Sequence, residues 1–229
     1  FEMYKDYAVC ANGAMFRKDV RGFLPELMEK IYKDRTIYKK KMLKAKQEYE
    51  NNPSVELKKE IARCNNIQMA RKIQLNSAYG AIGNQYFRYY DLAIAEGITK
   101  AGQLSIRWIE RDINKYLNKL LGTTDEDFVI ASDTDSIYVT FDKLVNQVFQ
   151  EGVDIQKVVN FLDTVATEKI EPFIDRSYQN LAAYVNAYDQ KMFMKREVIA
   201  DKGIWTAKKR YILNVWDSEG VRYDEPKLK

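Results

Sequence analysis

The chain has 229 residues, with 37 Lys and Arg against 33 Asp and Glu for a formal net charge of +4, and it contains no histidine. That zero excludes Ser-His-Asp and Cys-His constellations, His-ligated zinc and any side chain that ordinarily titrates near neutrality, so catalysis must use carboxylates, lysines, tyrosines or bound metal ions. Two cysteines, Cys10 and Cys64, make neither a disulfide framework nor a metal spacing and predict a reducing compartment, and no apolar run approaches the ~20 residues of a spanning helix.

From Lys30 to Lys46 eight basic residues stand against one acid, Asp34, which concentrates +7 in a segment without Gly or Pro. It predicts one long helix starting near Pro25, a favourable first-turn residue. A break at Asn51-Asn52-Pro53-Ser54, with Ser54 as N-cap, leads into a second helix over 55–79, and two long helices across a tight turn make an antiparallel hairpin. On charge alone that hairpin is a solvated surface element. Residues 80–90 mix glycines with aromatics and predict a bend. Asp91 then caps a helix to Leu121, whose apolar stripe (Ile94, Ile98, Ala101, Trp108, Ile109, Leu117) reads as core, and Gly122 ends it. Two β-rich runs, 128–131 and 136–141, flank a short polar centre as a β-hairpin. Helical patterning follows over 154–188, interrupted at Glu171-Pro172. Strands are expected over 191–200, 205–216 and 221–228, with a turn at Ser218-Glu219-Gly220.

The centre of the β-hairpin is Ser132-Asp133-Thr134-Asp135-Ser136. Alternation along a strand sends residues i and i+2 to one side, so Asp133 and Asp135 can face a common site. Converging carboxylates repel unless a cation or proton intervenes, and Mg²⁺ is held by one or two carboxylates together with substrate phosphates and water. The bland alternative is a pair of ordinary turn residues. An aspartate-nucleophile phosphotransferase also opens on a strand and D-x-D, but its second Asp leads into a loop and helix, whereas here β character resumes at once.

On the second helix Lys72, Asn76 and Tyr79 lie at i, i+4 and i+7, one stripe of an ammonium, an amide and a phenol. On the first, Arg35 and Lys39 are i and i+4. Counted from the turn near residue 52, Arg35 and Lys72 sit within about one helical turn of the same level, so the groups converge as a polyphosphate cradle.

Lys72-x-x-x-Asn76-Ser77-x-Tyr79-Gly80 followed by Asp133-Thr134-Asp135-Ser136 resembles the paired signatures of family B DNA polymerases. The stretches NSAYGAIGNQYFRYYDL, GQLSIRWIERDINKYLN and KKRYILNVWDSEGVRY are similar to those of T-even-type bacteriophage replicative polymerases. The resemblance implies an α+β fold: a palm of antiparallel sheet with packed helices, and an antiparallel two-helix fingers hairpin. Residues 1–24 would be partial palm, 25–80 the fingers, and 81–229 palm up to the start of the thumb. It implies that Arg35, Lys39, Lys72 and Asn76 bind the incoming triphosphate and that Tyr79 and Gly80 pack on the nascent base pair. Asp135 would ligate both of two Mg²⁺ ions, with Asp133 and Glu197 beside them. Lys208, Lys209, Arg210 and Tyr211 would contact the primer-template duplex.

The family also carries an upstream signature, D-x-x-S-L-Y-P-S, with a further metal-bridging Asp, and residues 1–30 do not contain it. Phe1 stands where an initiator Met would, which with that gap predicts a portion of a larger or split enzyme, inactive alone. Its partners would be primer-template DNA, dNTP, polypeptides or segments carrying the signature, the exonuclease domain and the thumb, and replisome proteins, in the cytoplasm of an infected bacterial host and without a membrane. Two departures from the family pattern are Ala131-Ser132 in place of Tyr-Gly and Lys195 in place of an acid. The alternative function is a non-catalytic nucleic-acid-binding module built on the basic hairpin.

Overall fold

A computed structural model describes residues 4–207 and 209–229. A short hairpin of β1 (Tyr7–Val9) and β2 (Met15–Arg17) precedes two long helices, α1 (Phe23–Asn51) and α2 (Val55–Ile82). Then come α3 (Leu92–Leu121), a second hairpin of β3 (Val129–Asp133) and β4 (Ser136–Val139), and α4 (Asp142–Val148). α5 (Ile155–Val165) runs through a π-helical turn (Ala166–Ile170) into α6 (Glu171–Tyr184). β5 (Val198–Ala207), β6 (Arg210–Ser218) and β7 (Val221–Leu228) close the chain. Every pairing is antiparallel, in three separate sheets ordered β1-β2, β3-β4 and β5-β6-β7, so the fold is α+β as expected.

The core forms where α3 meets α6 and the β3–β4 hairpin. Ile109, Ile113 and Leu117, four residues apart on α3, are fully buried against Phe128 and Val129 at the start of β3 and against Ile174, Tyr178 and Leu181 of α6. Polar contacts fix the register. Asn114 accepts from the Phe128 N–H and donates to the Asp127 carboxylate, both at 2.8 Å, and Asn118 donates to the Glu126 carbonyl at 2.8 Å while accepting from its N–H at 3.0 Å. α3 thereby sets where β3 begins, and with it the height of the carboxylate turn.

The expected caps are in place. Ser54 Oγ accepts from the Leu57 N–H and Asp91 Oδ1 from the Ile94 N–H, each at 3.1 Å, and Gly122 closes α3 in the left-handed region at φ +66°. Four boundaries differ. The helical hairpin runs from Phe23 to Ile82, so α2 continues through Gly80. Pro172 does not break the helix. It removes the N–H that would bond one turn back, and the path widens into the π turn immediately before it. Residues 191–197 form no strand, because side chains take their backbone groups: Gln190 bridges both the N–H and the C=O of Met192 at 2.6 Å, and Glu171 accepts from the Arg196 N–H at 3.0 Å. The expected strand 205–216 is two strands, with β5 ending at Ala207 and Lys209 turning the chain at φ +64°.

Candidate active site

The tip of the β3–β4 hairpin is a tight, strained turn. The Asp135 N–H donates to the Asp133 carbonyl at 2.6 Å, an i to i+2 closure, and the residue between them, β-branched Thr134, sits at φ +52°. Thr134 Oγ1 donates to the Asp133 carboxylate at 3.0 Å and Ser136 Oγ to the Asp133 carbonyl at 3.2 Å, so both hydroxyls of the motif brace the turn. Asp133 is half-buried and Asp135 exposed.

Cross-strand register pairs Asp133 with Ser136 and Ala131 with Tyr138, which puts Tyr138 on the same face as Asp133. Tyr138 meets Trp205 and Tyr211 edge to face, at 5.3 and 5.5 Å between ring centres, and this aromatic cluster joins the hairpin to the β5–β6 ribbon. Burial first, then the hydrogen bond with Tyr211, then the charges of Tyr211, Glu197 and Asp133 push the Tyr138 phenol up. Burial and then the Asp135 carboxylate raise Tyr178 on α6. Glu197 and Asp133 thus both act on Tyr138, while the Asp135 charge is felt at Tyr178 of α6. Tyr178 also lines a cavity of about 350 Å³ beside the π turn, together with Glu171, Asp175 and the exposed Lys195.

Among the described residues no Lys or Arg forms an ion pair with Asp133, Asp135 or Glu197. Among them, too, no three acidic or cysteine side chains close on one point as a preformed cage. Hard oxygen donors that form no ion pair among the described residues, on an open turn, fit a divalent ion that completes its coordination with water and substrate oxygens. They do not fit a caged structural site.

On the helical hairpin, Arg71 of α2 binds Asp34 of α1 at 2.5 Å, and Lys41 of α1 acts electrostatically on Cys64 of α2. Those two links set an antiparallel register that brings Arg35 and Lys72 within about one turn of each other. Arg35 is half-buried, and its Nε is buried without a hydrogen-bond partner. Lys72 and Asn76 are exposed. Lys39 is engaged, its ammonium 2.6 Å from Glu219 at the β6–β7 turn. Tyr79 shares a hydrogen bond of 2.8 Å with Thr99 of α3, and the outer side of Gly80 is open, since a Cβ there would meet nothing within 4 Å.

Lys209 and Arg210 are exposed at the β5–β6 turn, and Tyr211 packs into the Tyr138 cluster. Lys208 lies outside the described residues. The model of DNA polymerase family B matches residues 2–181. The chain belongs to DNA polymerase family B. Within that family it is 40% identical to the DNA-directed DNA polymerase of Escherichia phage RB69 over 97% of its own length, and 38% identical to that of Enterobacteria phage T4 over 98%. A DNA polymerase beta of African swine fever virus is 27% identical over 84%. The chain spans 30% of the length of the two phage relatives.

For a family B chain, two groups at this site carried no signal in the sequence. Glu219 reads there only as a turn residue, and its partner Lys39 is 180 positions away. Tyr138 reads as an ordinary strand residue, yet its ring joins the carboxylate hairpin to the β5–β6 ribbon. No helix among the described residues is long and apolar enough to cross a membrane.

Proposed function

We propose that this chain is the fingers and palm portion of a phage DNA-directed DNA polymerase, with residues 25–80 as fingers and 1–24 and 81–229 as palm. The observation that carries the reading is the strained carboxylate turn, Asp133-Thr134-Asp135, free of ion pairs among the described residues, on the same chain as a helical hairpin bearing Arg35, whose buried Nε has no hydrogen-bond partner among them. The primer 3′-hydroxyl attacks the α-phosphate of a dNTP, forming the new O–P bond as the bond to the β-phosphate breaks and pyrophosphate leaves.

Asp135 and Asp133, with Glu197 nearby, would hold Mg²⁺, which supplies charge neutralisation at the phosphates and lowers the pKa of the hydroxyl. Arg35, Lys39, Lys72 and Asn76 bind the triphosphate, the guanidinium as a planar fork and the ammoniums as point charges. Lys72 also serves the chemistry by meeting charge on the leaving pyrophosphate. Tyr79 and the open side of Gly80 leave a flat surface for the nascent base pair. Lys208, Lys209, Arg210 and Tyr211 follow the primer-template duplex. No neutral-pH base is required of the protein, in keeping with the absence of histidine.

These residues contain no D-x-x-S-L-Y-P-S signature, so the 229-residue chain is expected to need further polypeptide for its second bridging carboxylate, exonuclease and thumb. Its setting is the cytoplasm of an infected bacterial host, on the strength of the phage relatives. The test is primer extension with Mg²⁺ and dNTPs by the chain alone and mixed with an amino-terminal polypeptide carrying the signature. Extension should require the mixture and should be lost in Asp135→Asn, with DNA binding retained. Extension that survives Asp135→Asn overturns the catalytic reading. DNA binding with no extension in any mixture favours the non-catalytic module.

A further inference from the structure

α1 lies along the β6–β7 hairpin through three polar contacts on one of its faces. Lys39 pairs with Glu219 at 2.6 Å, Gln47 Oε1 accepts from the Arg222 N–H at 3.0 Å, and Glu50 accepts from Lys227 Nζ at 2.7 Å. Residues 39, 47 and 50 share that face because their spacings are close to two and three turns of 3.6 residues. Of the three, only Lys39 belongs to the proposed phosphate-binding group.

Its partner is held far more firmly than Lys39 itself. Glu219 and Gly220 both take positive φ, +53° and +86°, in the tight β6–β7 turn. The Glu219 N–H donates to the Glu197 carbonyl at 2.6 Å and the Gly220 N–H to Asp217 Oδ1 at 2.9 Å. Asp217 is 1% exposed and ion-paired with both Arg196 and Arg222, which also reach Asp163 on α5. Glu219 therefore projects from an anchored turn, whereas Lys39 hangs on a flexible four-carbon stem. Side-chain exposures of 31% for Lys39 and 25% for Glu219 make the pair partly desolvated. The ammonium gives one of its three N–H donors and much of its charge to Glu219, so a phosphate oxygen must compete with that carboxylate for it.

We propose that Glu219 is a positioning residue that keeps Lys39 in reserve, so that triphosphate binding proceeds by exchange of Lys39 from Glu219 to phosphate. The inference rests on the nucleotide-cradle reading above. A triphosphate brings several negative charges to a level of the hairpin where Arg35 and Lys72 lie within about one turn of each other, so the exchange favours phosphate, but breaking the pair lowers nucleotide affinity. Glu219 thereby sets that affinity from the β6–β7 turn, as a residue that itself touches no substrate.

The test uses the 229-residue chain and inorganic tripolyphosphate, titrated calorimetrically at low salt. Glu219→Gln should bind about threefold to tenfold more tightly than the parent, the range expected for releasing a partly exposed pair. Glu219→Asp should restore parental affinity, and Glu219→Gln should have no effect in a Lys39→Gln background. As a second readout, acylation of the Lys39 amine, followed by mass spectrometry, should rise in Glu219→Gln. Unchanged or weaker binding by Glu219→Gln, or unchanged acylation, overturns the inference. Arg35→Gln and Lys72→Gln separate the two levels: if they weaken binding while Glu219→Gln does not alter it, the cradle stands and the reserve falls. If no variant changes tripolyphosphate binding, both fall.

Discussion

The α1–α2 hairpin buries Met42, Ala45, Cys64, Gln68 and Ile82 across helices of 29 and 28 residues, whereas α3 buries six positions in 30, three of them completely. The cations of the proposed site ride on the first structure, and its carboxylates on the β3–β4 hairpin that packs on the second. A helix with few buried side chains is positioned by discrete polar links, here Arg71 to Asp34 within the hairpin and Lys39, Gln47 and Glu50 to the β6–β7 ribbon. Such links break and re-form one at a time. The carboxylate turn is instead the end of a strand whose start is packed among Ile109, Ile113 and Leu117, and its strained φ at Thr134 persists because the core fixes both flanking strands. The division suits the proposed site, in which one wall would receive a substrate and the other hold charges still.

The sharpest way to break that contrast is Ile113→Ala. At a fully buried position it should cost about 2–5 kcal/mol in denaturant unfolding and loosen the Asp133–Asp135 turn, because the lost volume lies directly beneath β3. An effect under about 1 kcal/mol would mean that the hairpin is not held by this core.

Gly203→Ala is the next largest. A Cβ there would lie 2.7 Å from the Trp205 ring and 2.8 Å from a Leu213 methyl, so the indole must move away from Tyr138. The expected cost is about 1–3 kcal/mol, with a change in near-ultraviolet circular dichroism that reports the displaced indole. Retention of the parental aromatic spectrum would show that the β5–β6 ribbon does not lean on the carboxylate hairpin through these rings.

Raising the pH tests the same junction. Burial and neighbouring negative charge push Tyr138 and Tyr178 above the ordinary phenol value, so the folded chain holds their protons more tightly than the unfolded one. Their contribution is therefore intact below about pH 10 and is lost as pH climbs through the folded-state values. Phenolate absorbance should show three late-titrating tyrosines, Tyr223 being raised by its own burial, and one of the three should be removed by Tyr138→Phe.

Much of this was legible in the sequence where the determinant was local. Ser54, Asp91 and Gly122 act within four residues of themselves, and the Asp133–Ser136 turn is set by its own strand flanks. What escaped was fixed by distant partners. The β1–β2 hairpin is fastened by Asn186, whose amide donates to the carbonyls of Tyr4, Lys5 and Tyr7 from about 180 positions away. Residues 191–197 have strand-like composition but give their backbone groups to Gln190 and Glu171. α4, with seven residues and none buried, has no periodicity to read. The basic residues of α1 show a charge run, but nothing in the run singles out Lys39 as the one paired with the β6–β7 turn.

The smallest effect is expected from Arg71→Ala, and it is the most informative about the helical hairpin. Arg71 and Asp34 are 38% and 36% exposed, so their 2.5 Å pair is screened by solvent and should contribute about 0–1 kcal/mol, falling further at high salt. Global unfolding should hardly register it. Hydrogen exchange should: amides of α1 and α2 should exchange faster in the variant and, in the parent, faster at high than at low ionic strength, while those of α3 stay unchanged under both. Equal response of the two regions would mean that the hairpin and the core unfold as one cooperative unit, and that the discrete links along α1 are consequences of its position and not its cause.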